Sequence, residues 1–398
     1  MNVPKLRFDD FSEEWNSYLL NEVTEYVDYR GKTPTKTNQG IPLITAKNIK
    51  KGFLDYNISK EYISEGSYQD VMSRGIPAIG DVLLTTEAPL GNVAQIDNSK
   101  VALAQRVIKF RGTKDCLLND FLKYLMLSPM FQHLLVSKAI GTTVLGIQGK
   151  VLHKLPINIP SLQEQKKISD LLNSINSKIL LQQEKINLVK EQKKGYMQKL
   201  FQQEIRFKDD NGGEYSEWDF IKLGKLTKKT GSKNKKGIKY PVASISNKRG
   251  FTLEGERNNS NTDVNIKTYK LVYRDEFAYN PSRINVGSFG FQNVADVAIV
   301  SSLYVIFKTI DSLSNAYLKA YMHSNFFNQD VLRNTEGSVR EYLFYENFSN
   351  IKIPLPCLEE QEKIANFLLE IEEKIQVEQQ KLELLQEQKK GFMQQMFI

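Results

Sequence analysis

Residues 161–201 and 357–397 are two copies of one sequence. Set against each other at a constant offset of 196 residues, with no gap, about 20 of the 41 positions are identical, and both copies close on the same five residues, Glu191-Gln192-Lys193-Lys194-Gly195 and Glu387-Gln388-Lys389-Lys390-Gly391. A repeat of this length has to be explained before anything else in the chain. In the first copy Ile168, Leu172, Ile175, Ile179, Ile186, Val189, Tyr196 and Leu200 fall in steps of three and four once Gln182 and Lys193 fill the missing places. The second copy repeats the seam as Ile364, Leu368, Ile371, Ile375, Leu382, Leu385, Phe392 and Met396, with Glu378 and Lys389 in the same two polar places. A heptad sustained over more than four turns predicts two long helices that each expect a helical partner, rather than two core helices of an ordinary domain. Pro160-Ser161 followed by Glu164 reads as a capping box, with a weaker equivalent in Pro356, Cys357 and Glu360.

Connectivity decides how such helices pair. About 150 residues separate them, a body roughly 35–40 Å across, and that body must join the end of the first helix to the start of the second. In a parallel pair these points would lie a full rod length apart, roughly 50 Å at 1.5 Å per residue. An antiparallel pair puts them side by side, so antiparallel pairing is expected.

The repeat continues outside the helices. Arg7-Phe8 followed by Phe11-Ser12-Glu13-Glu14-Trp15 is echoed by Arg206-Phe207 followed by Tyr215-Ser216-Glu217-Trp218, and residues 209–213 (Asp-Asp-Asn-Gly-Gly) make a turn-rich linker before the second lead-in. The expected division is a first body with its lead-in over 1–160, a first coiled-coil helix over 161–203, a linker over 204–217, a second body over 218–356 and a second helix over 357–398. Short β-branched or apolar runs at 41–44, 82–85, 107–110, 241–245 and 298–307 read as strands, and 121–136 and 316–331 as amphipathic helices, so each body is expected to be α+β. The whole has an approximate internal two-fold repeat.

Charge is distributed unevenly. Residues 16–160 hold 17 Lys and Arg against 12 Asp and Glu, and residues 218–356 hold 20 against 12, so the two bodies carry +5 and +8, while residues 1–15 and 204–217 sum to −5 in a chain of net charge +8. The first helix is +4 and the second −4, which suits an intramolecular pair. Two basic bodies on one rod point to a polyanion. Eight lysines crowd residues 222–239, broken by Gly231, Ser232, Asn234 and Gly237. Of these, Lys228, Lys229, Lys233, Lys235 and Lys236 are candidates for phosphate contact, and Arg30, Lys32 and Lys36 form a sparser counterpart in the first body. A lysine run can equally be a solvated face; the company of two basic bodies tips it toward DNA.

Catalytic signatures are missing. His133, His153 and His323 lack the spacing of a metal site, and there is neither a Gly-Lys-Ser/Thr phosphate loop nor a Gly-x-Gly-x-x-Gly. Asn280-Pro281-Ser282-Arg283 resembles the Asn-Pro-Pro-aromatic loop of adenine methyltransferases but lacks the second proline and the aromatic residue, and reads by default as a turn. Two distant cysteines support neither disulfide nor metal knuckle, and no run of 18 apolar residues or basic-apolar leader is found, so a soluble, cytoplasmic protein without a membrane partner is expected.

The order Pro42-Leu43-Ile44-Thr45-Ala46-Lys47-Asn48-Ile49, Ile79-Gly80-Asp81-Val82-Leu83-Leu84, Ala104-Gln105-Arg106, Gly141-Thr142-Thr143, residues 155–160 (Leu-Pro-Ile-Asn-Ile-Pro) and Glu164-Gln165-Lys166-Lys167-Ile168 resembles the specificity subunit of type I restriction-modification enzymes. The second half repeats it through residues 240–247, Gly337-Ser338-Val339, Ile353-Pro354-Leu355-Pro356 and Glu360-Gln361-Glu362-Lys363-Ile364, departing where Gly-Asp becomes Arg274-Asp275 and Gln-Arg becomes Ser302-Leu303. The resemblance covers nearly the whole chain. It implies two target recognition domains, each reading half of a bipartite, asymmetric site in double-stranded DNA, and an antiparallel helix pair that sets the gap. It further implies a subunit without catalysis or cofactor of its own. Two methyltransferase subunits would bring S-adenosylmethionine, and two restriction/translocase subunits would use ATP and Mg. The competing classes are an architectural DNA-binding coiled coil and an adenine methyltransferase in its own right.

Loop residues whose side chains can pair with base edges are the candidates for readout. They are Lys47, Asn48, Glu87, Gln105, Arg106, Thr142, Thr143 and Gln148 in the first body, and Ser246, Asn247, Lys248, Arg283, Ser301, Ser338 and Arg340 in the second. The polar seam residues either fix register or face methyltransferase helices. Gly195 and Gly391, which cost roughly 1 kcal/mol each against Ala in a helix, imply either close approach of another helix or a C-cap.

Overall fold

The computed structural model describes residues 3–29, 34–98, 100–247, 249–254, 265–335 and 342–398. The long helices are Leu162–Phe201 and Leu358–Gln395. Two compact units cut across both of them, Met1–Gln183 with Gln380–Ile398, and Glu184–Gln379. In the first unit Ile168 and Leu172, near the start of the first helix, share a core with Met393, Met396 and Phe397 at the end of the second. In the second unit Met197, Leu200 and Phe201 share a core with Ile364, Ala365 and Leu368. Start packs on end in both, so the helices form an antiparallel coiled coil. Ile175, Ile186, Val189, Ile375 and Leu382 are buried along the seam, and Ile179, Ile371 and Leu385 are half-buried. Near its end the seam shifts by one residue from the heptad reading. Met197, not Tyr196, is buried, because a step of four after Lys193 carries the stripe toward Phe201 and the body.

The opposed charges of the helices take the form of ion pairs. Lys185 Nζ lies 2.9 Å from Glu378 and Lys193 Nζ 2.5 Å from Glu372. Lys193 and Glu378 thus act across the helix pair, as register-fixing polar residues do. Gly195 and Gly391 lie inside continuous helix, so neither is a C-cap, and a Cβ added at either would meet no atom within 4 Å.

Each unit builds one four-stranded sheet in the same order. In the first, strands Thr24–Asp28, Val107–Gly112, Val82–Thr85 and Val93–Gln95 lie side by side as an antiparallel sheet; in the second the order is Thr227–Lys229, Val305–Thr309, Phe277–Tyr279, Phe289–Phe291. A second layer pairs Ile41–Ile44 in parallel with Ala102–Leu103, matched in the other unit by a parallel bridge between Val242 and Ile299. Two expected elements are broken. Residues 121–136 form two helices, Asn119–Leu127 and Pro129–Ser137, because Ser128 caps the second and Pro129 starts it. Residues 316–331 form Asn315–Met322 and Asn325–Asn334, divided at the capping hydroxyl of Ser324. The run 298–307 likewise splits into Val297–Val300 and Val305–Thr309.

One clasp, made twice, ties lead-in, body and helix together. Ser161 caps the first helix, its Oγ accepting the Glu164 N–H at 3.4 Å, but the Glu164 carboxylate does not close a capping box. It accepts from Nε and Nη2 of Arg7 at 2.8 Å each and from the Trp15 indole N–H at 3.4 Å. Glu360 does the same with Arg206, at 3.1 and 2.8 Å, and with Trp218 at 2.7 Å. The adjacent glutamines grip the bodies. Gln165 accepts from the Leu118 N–H and donates to the Cys116 and Pro160 carbonyls, while Gln361 accepts from Ser314 and donates to Ser312 and Pro356.

Candidate nucleic-acid interface

At one edge of the first body three segments converge on the end of strand Val82–Thr85. The Thr86 N–H donates to the Arg106 carbonyl at 2.9 Å, and the Ile147 N–H donates to the Thr86 carbonyl at 3.0 Å. Ile140 and Gly146 exchange hydrogen bonds of 2.8 and 2.9 Å, closing a loop whose tip exposes Thr142 and Thr143. Gly141 at the start of that loop has φ of +107°, and a side chain there would strike the Val144 carbonyl at 2.2 Å, so only glycine makes this turn. Arg106 sits in the left-handed region at φ 70°, rare for an arginine, and its exposed guanidinium lies 2.7 Å from Glu87. Glu87, Gln105, Arg106, Thr142, Thr143 and Gln148 are therefore gathered along one edge.

Lys47 is exposed on a neighbouring loop, which Asn92 holds to this edge by donating to the Ile49 carbonyl at 2.7 Å. Asn48 is placed differently from the expectation. It is 1% exposed, its oxygen accepts from the Thr45 N–H and hydroxyl, and its amide donates to the Asp55 and Ser59 carbonyls. No hydrogen-bonding capacity is left for a base. Asn48 shapes the loop that presents Lys47.

The second body repeats this edge. The Leu343 N–H donates to the Pro281 carbonyl at 3.0 Å, the counterpart of Ile147 on Thr86. Asn280-Pro281-Ser282-Arg283 is thus the turn at a strand end: the Asn280 side-chain oxygen accepts from the N–H and hydroxyl of Ser282, and Arg283 is exposed. Beside it stands the hairpin Ala243–Ser246 with Gly250–Leu253, whose turn carries exposed Ser246 and Asn247. The Ser288 hydroxyl donates to the Ile245 carbonyl, and an added Cβ at Gly287 would sit 3.4 Å from Asn247, so turn and hairpin are in contact. Ser246 Oγ accepts from the Arg249 N–H at 3.1 Å, and half-buried Ser301 bonds the turn that follows its strand. Arg30, Lys32, Lys248, Ser338 and Arg340 lie outside the described residues.

The lysine-rich stretch is a built loop. Asn234, 2% exposed, receives the Ile238 N–H and donates to its carbonyl, holding Lys233, Lys235 and Lys236 outward. Lys228 lies directly opposite Lys308 in the sheet, both exposed. Like charges in register repel unless an anion sits over them. Burial, then the positive charges of Lys229 and Lys233, hold the Lys270 ammonium below its ordinary pKa. Two of the candidate lysines are partly neutralised: Lys229 by Glu346 at 3.1 Å, and Lys36 by Glu61 at 2.8 Å, a pairing that lowers the pKa of Glu61. Lys308, opposite Lys228, and Tyr342 and Phe344, on the loop edge, were missed by sequence reasoning. The 196-residue offset, which puts Tyr342 over Gly146 and Phe344 over Gln148, was the available signal.

Among the described residues no group of three or more His, Cys, Asp or Glu is placed to hold a metal, and no helix is long and apolar enough to cross a membrane. The duplicated α+β bodies, the antiparallel coiled coil and the paired loop edges define a two-headed DNA reader. The family model of the type I restriction modification DNA specificity domain matches twice, over residues 12–191 and 215–387, so the chain belongs to the type I restriction-modification specificity subunits. It is 23% identical over 405 residues to the type I restriction enzyme MjaVIII specificity subunit of Methanocaldococcus jannaschii, covering 96% of this chain and 91% of that one. With the MjaIX specificity subunit of the same organism it shares 22% over 377 residues, 86% and 83% of the two chains. Its fold is similar to the crystal structure of a type I S subunit from M. genitalium, with a TM-score of 0.61 at 14% identity over 100% and 99% of the two chains. The chain is a sequence-specific DNA-binding specificity subunit and a scaffold for the enzyme's other subunits.

Proposed function

We propose that each body reads one half of a two-part, asymmetric DNA sequence and that the helix pair fixes the unspecified gap between the halves. One observation carries this reading: both bodies present the same loop edge, joined by the same backbone hydrogen bond, yet with different residues on it. Two unlike readers on one scaffold call for two unlike half-sites. In the first body Lys47, Gln105, Thr142, Thr143 and Gln148 face base edges, and Arg106, oriented by Glu87, takes a guanine through O6 and N7. In the second, Ser246, Asn247, Arg283 and Ser301 do so, while Lys228, Lys233, Lys235 and Lys236 grip phosphates.

Two methyltransferase subunits dock on the long helices, one per unit. Away from the seam, Leu188, Gln192 and Gly195 form an exposed stripe in one unit, and exposed Leu384 and Gln388 with half-buried Gly391 correspond to it in the other, both leucines being 65% exposed. Apolar surface kept in water at two matched places, each with a glycine that leaves room for a backbone, suits two copies of one helical partner. These partners supply S-adenosylmethionine, and two restriction/translocase subunits supply ATP and Mg chemistry, in the cytoplasm. The test is co-expression with the cognate methyltransferase subunit. Methylated adenine at a discontinuous, asymmetric motif is expected; methylation by this chain alone, or at no defined motif, would overturn the reading.

A further inference from the structure

The two reading edges differ most at one matched position. In the first body Gln148 precedes the short helix Gly149–Leu152; in the second Phe344 precedes Tyr345–Phe348 and is 47% exposed. Tyr342 stacks on it, with ring centroids 5.7 Å apart and planes 6° from parallel. The backbone between them is fixed, since Leu343 is fully buried and bonded to the Pro281 carbonyl, two residues from exposed Arg283. This aromatic pair therefore stands over the core rather than within it.

Tyr345 shares a 3.0 Å hydrogen bond with Thr227, and Lys229 lies 5.6 Å over its ring. Lys229 is itself paired with Glu346 at 3.1 Å, while exposed Lys228 and Lys308, one residue on in the alternation of their strands, point from the other face of the sheet. An exposed aromatic ring at a loop edge that also carries exposed Arg283 suits a duplex groove, where methyl groups lie between phosphate walls. A ring already stacked on its neighbour cannot slide between two base pairs without giving that neighbour up, so contact along a base edge is favoured over insertion.

We propose that Phe344, backed by Tyr342, determines one position of the second half-site by packing on the 5-methyl group of a thymine in the major groove. The first body reads the matched position through the amide of Gln148, a hydrogen-bonding group that the second body lacks there. This rests on the reading of the second body as a half-site reader.

The test uses the complex with its methyltransferase subunits and duplexes in which each thymine of the second half-site is replaced, one at a time, by deoxyuridine. At one position the wild-type complex should bind roughly three- to five-fold more weakly, the worth of about one buried methyl group. Phe344→Ala and Phe344→Gln should bind the unmodified site more weakly and lose nothing further at that position. Indifference of the wild type to every replacement, equal losses in wild type and variants, or a second half-site without thymine on either strand would overturn the proposal while leaving the half-site reading intact. Failure of the wild-type complex to bind any two-part site would overturn both.

Discussion

Glu164 is 1% exposed, and Arg7 occupies both of its oxygens. Removing one partner of such a pair leaves a buried charge uncompensated, which costs about 3–5 kcal/mol. Arg7→Ala and Arg206→Ala should each destabilise the chain by about that much in urea unfolding, whereas Lys166→Ala, in an exposed pair with Asp170, should cost under about 1 kcal/mol. A loss below 1 kcal/mol for both arginines would contradict the clasp. Arg106→Ala should bind the cognate site more weakly and relax one guanine position of the first half-site by about 1–3 kcal/mol of discrimination, seen as new motifs in mapped methylation. At this scale sequence legibility was partial. The Arg-Phe and Trp echoes were visible, but Glu164 read as a capping box because local rules reach three residues and its true partner is 157 residues away. Asn48 failed for a related reason: a polar loop residue looks alike whether it faces solvent or spends all four hydrogen bonds on its own loop.

The long helices were the most legible elements, since a seven-residue period repeated over forty residues admits few other structures. Their antiparallel pairing followed from connectivity alone. The body helices were less legible: amphipathic spacing runs through Ser128-Pro129 and through Ser324, and only the capping bonds show where the chain turns. The loop edge was readable as a set of residues and not as a surface, because its closing bonds link positions 61 and 62 residues apart. Gly195 and Gly391 provide the sharpest test here. Alanine at both should raise the stability of the isolated chain by up to about 1 kcal/mol per site, since nothing within 4 Å opposes a methyl group. The same substitutions should weaken capture of the methyltransferase subunit at least several-fold. Unchanged capture would remove the glycines from the docking surface.

For the whole molecule, the excess of positive charge belongs to the two bodies. Replacing Lys228, Lys233, Lys235 and Lys236 by Gln should lower the salt slope of DNA binding by at most about 4, at about 0.9 per lost phosphate contact, and leave the motif unchanged. Altered bases would mean that the loop reads sequence.

The spacer claim is tested most directly by inserting one heptad into each long helix and mapping methylated adenines beside the wild type. Both half-sites should stay the same while the unspecified gap lengthens, by at most about three base pairs at 1.5 Å per residue and 3.4 Å per step. An unchanged gap, or half-sites with new bases, would contradict the assignment of reading to the bodies and of spacing to the helices.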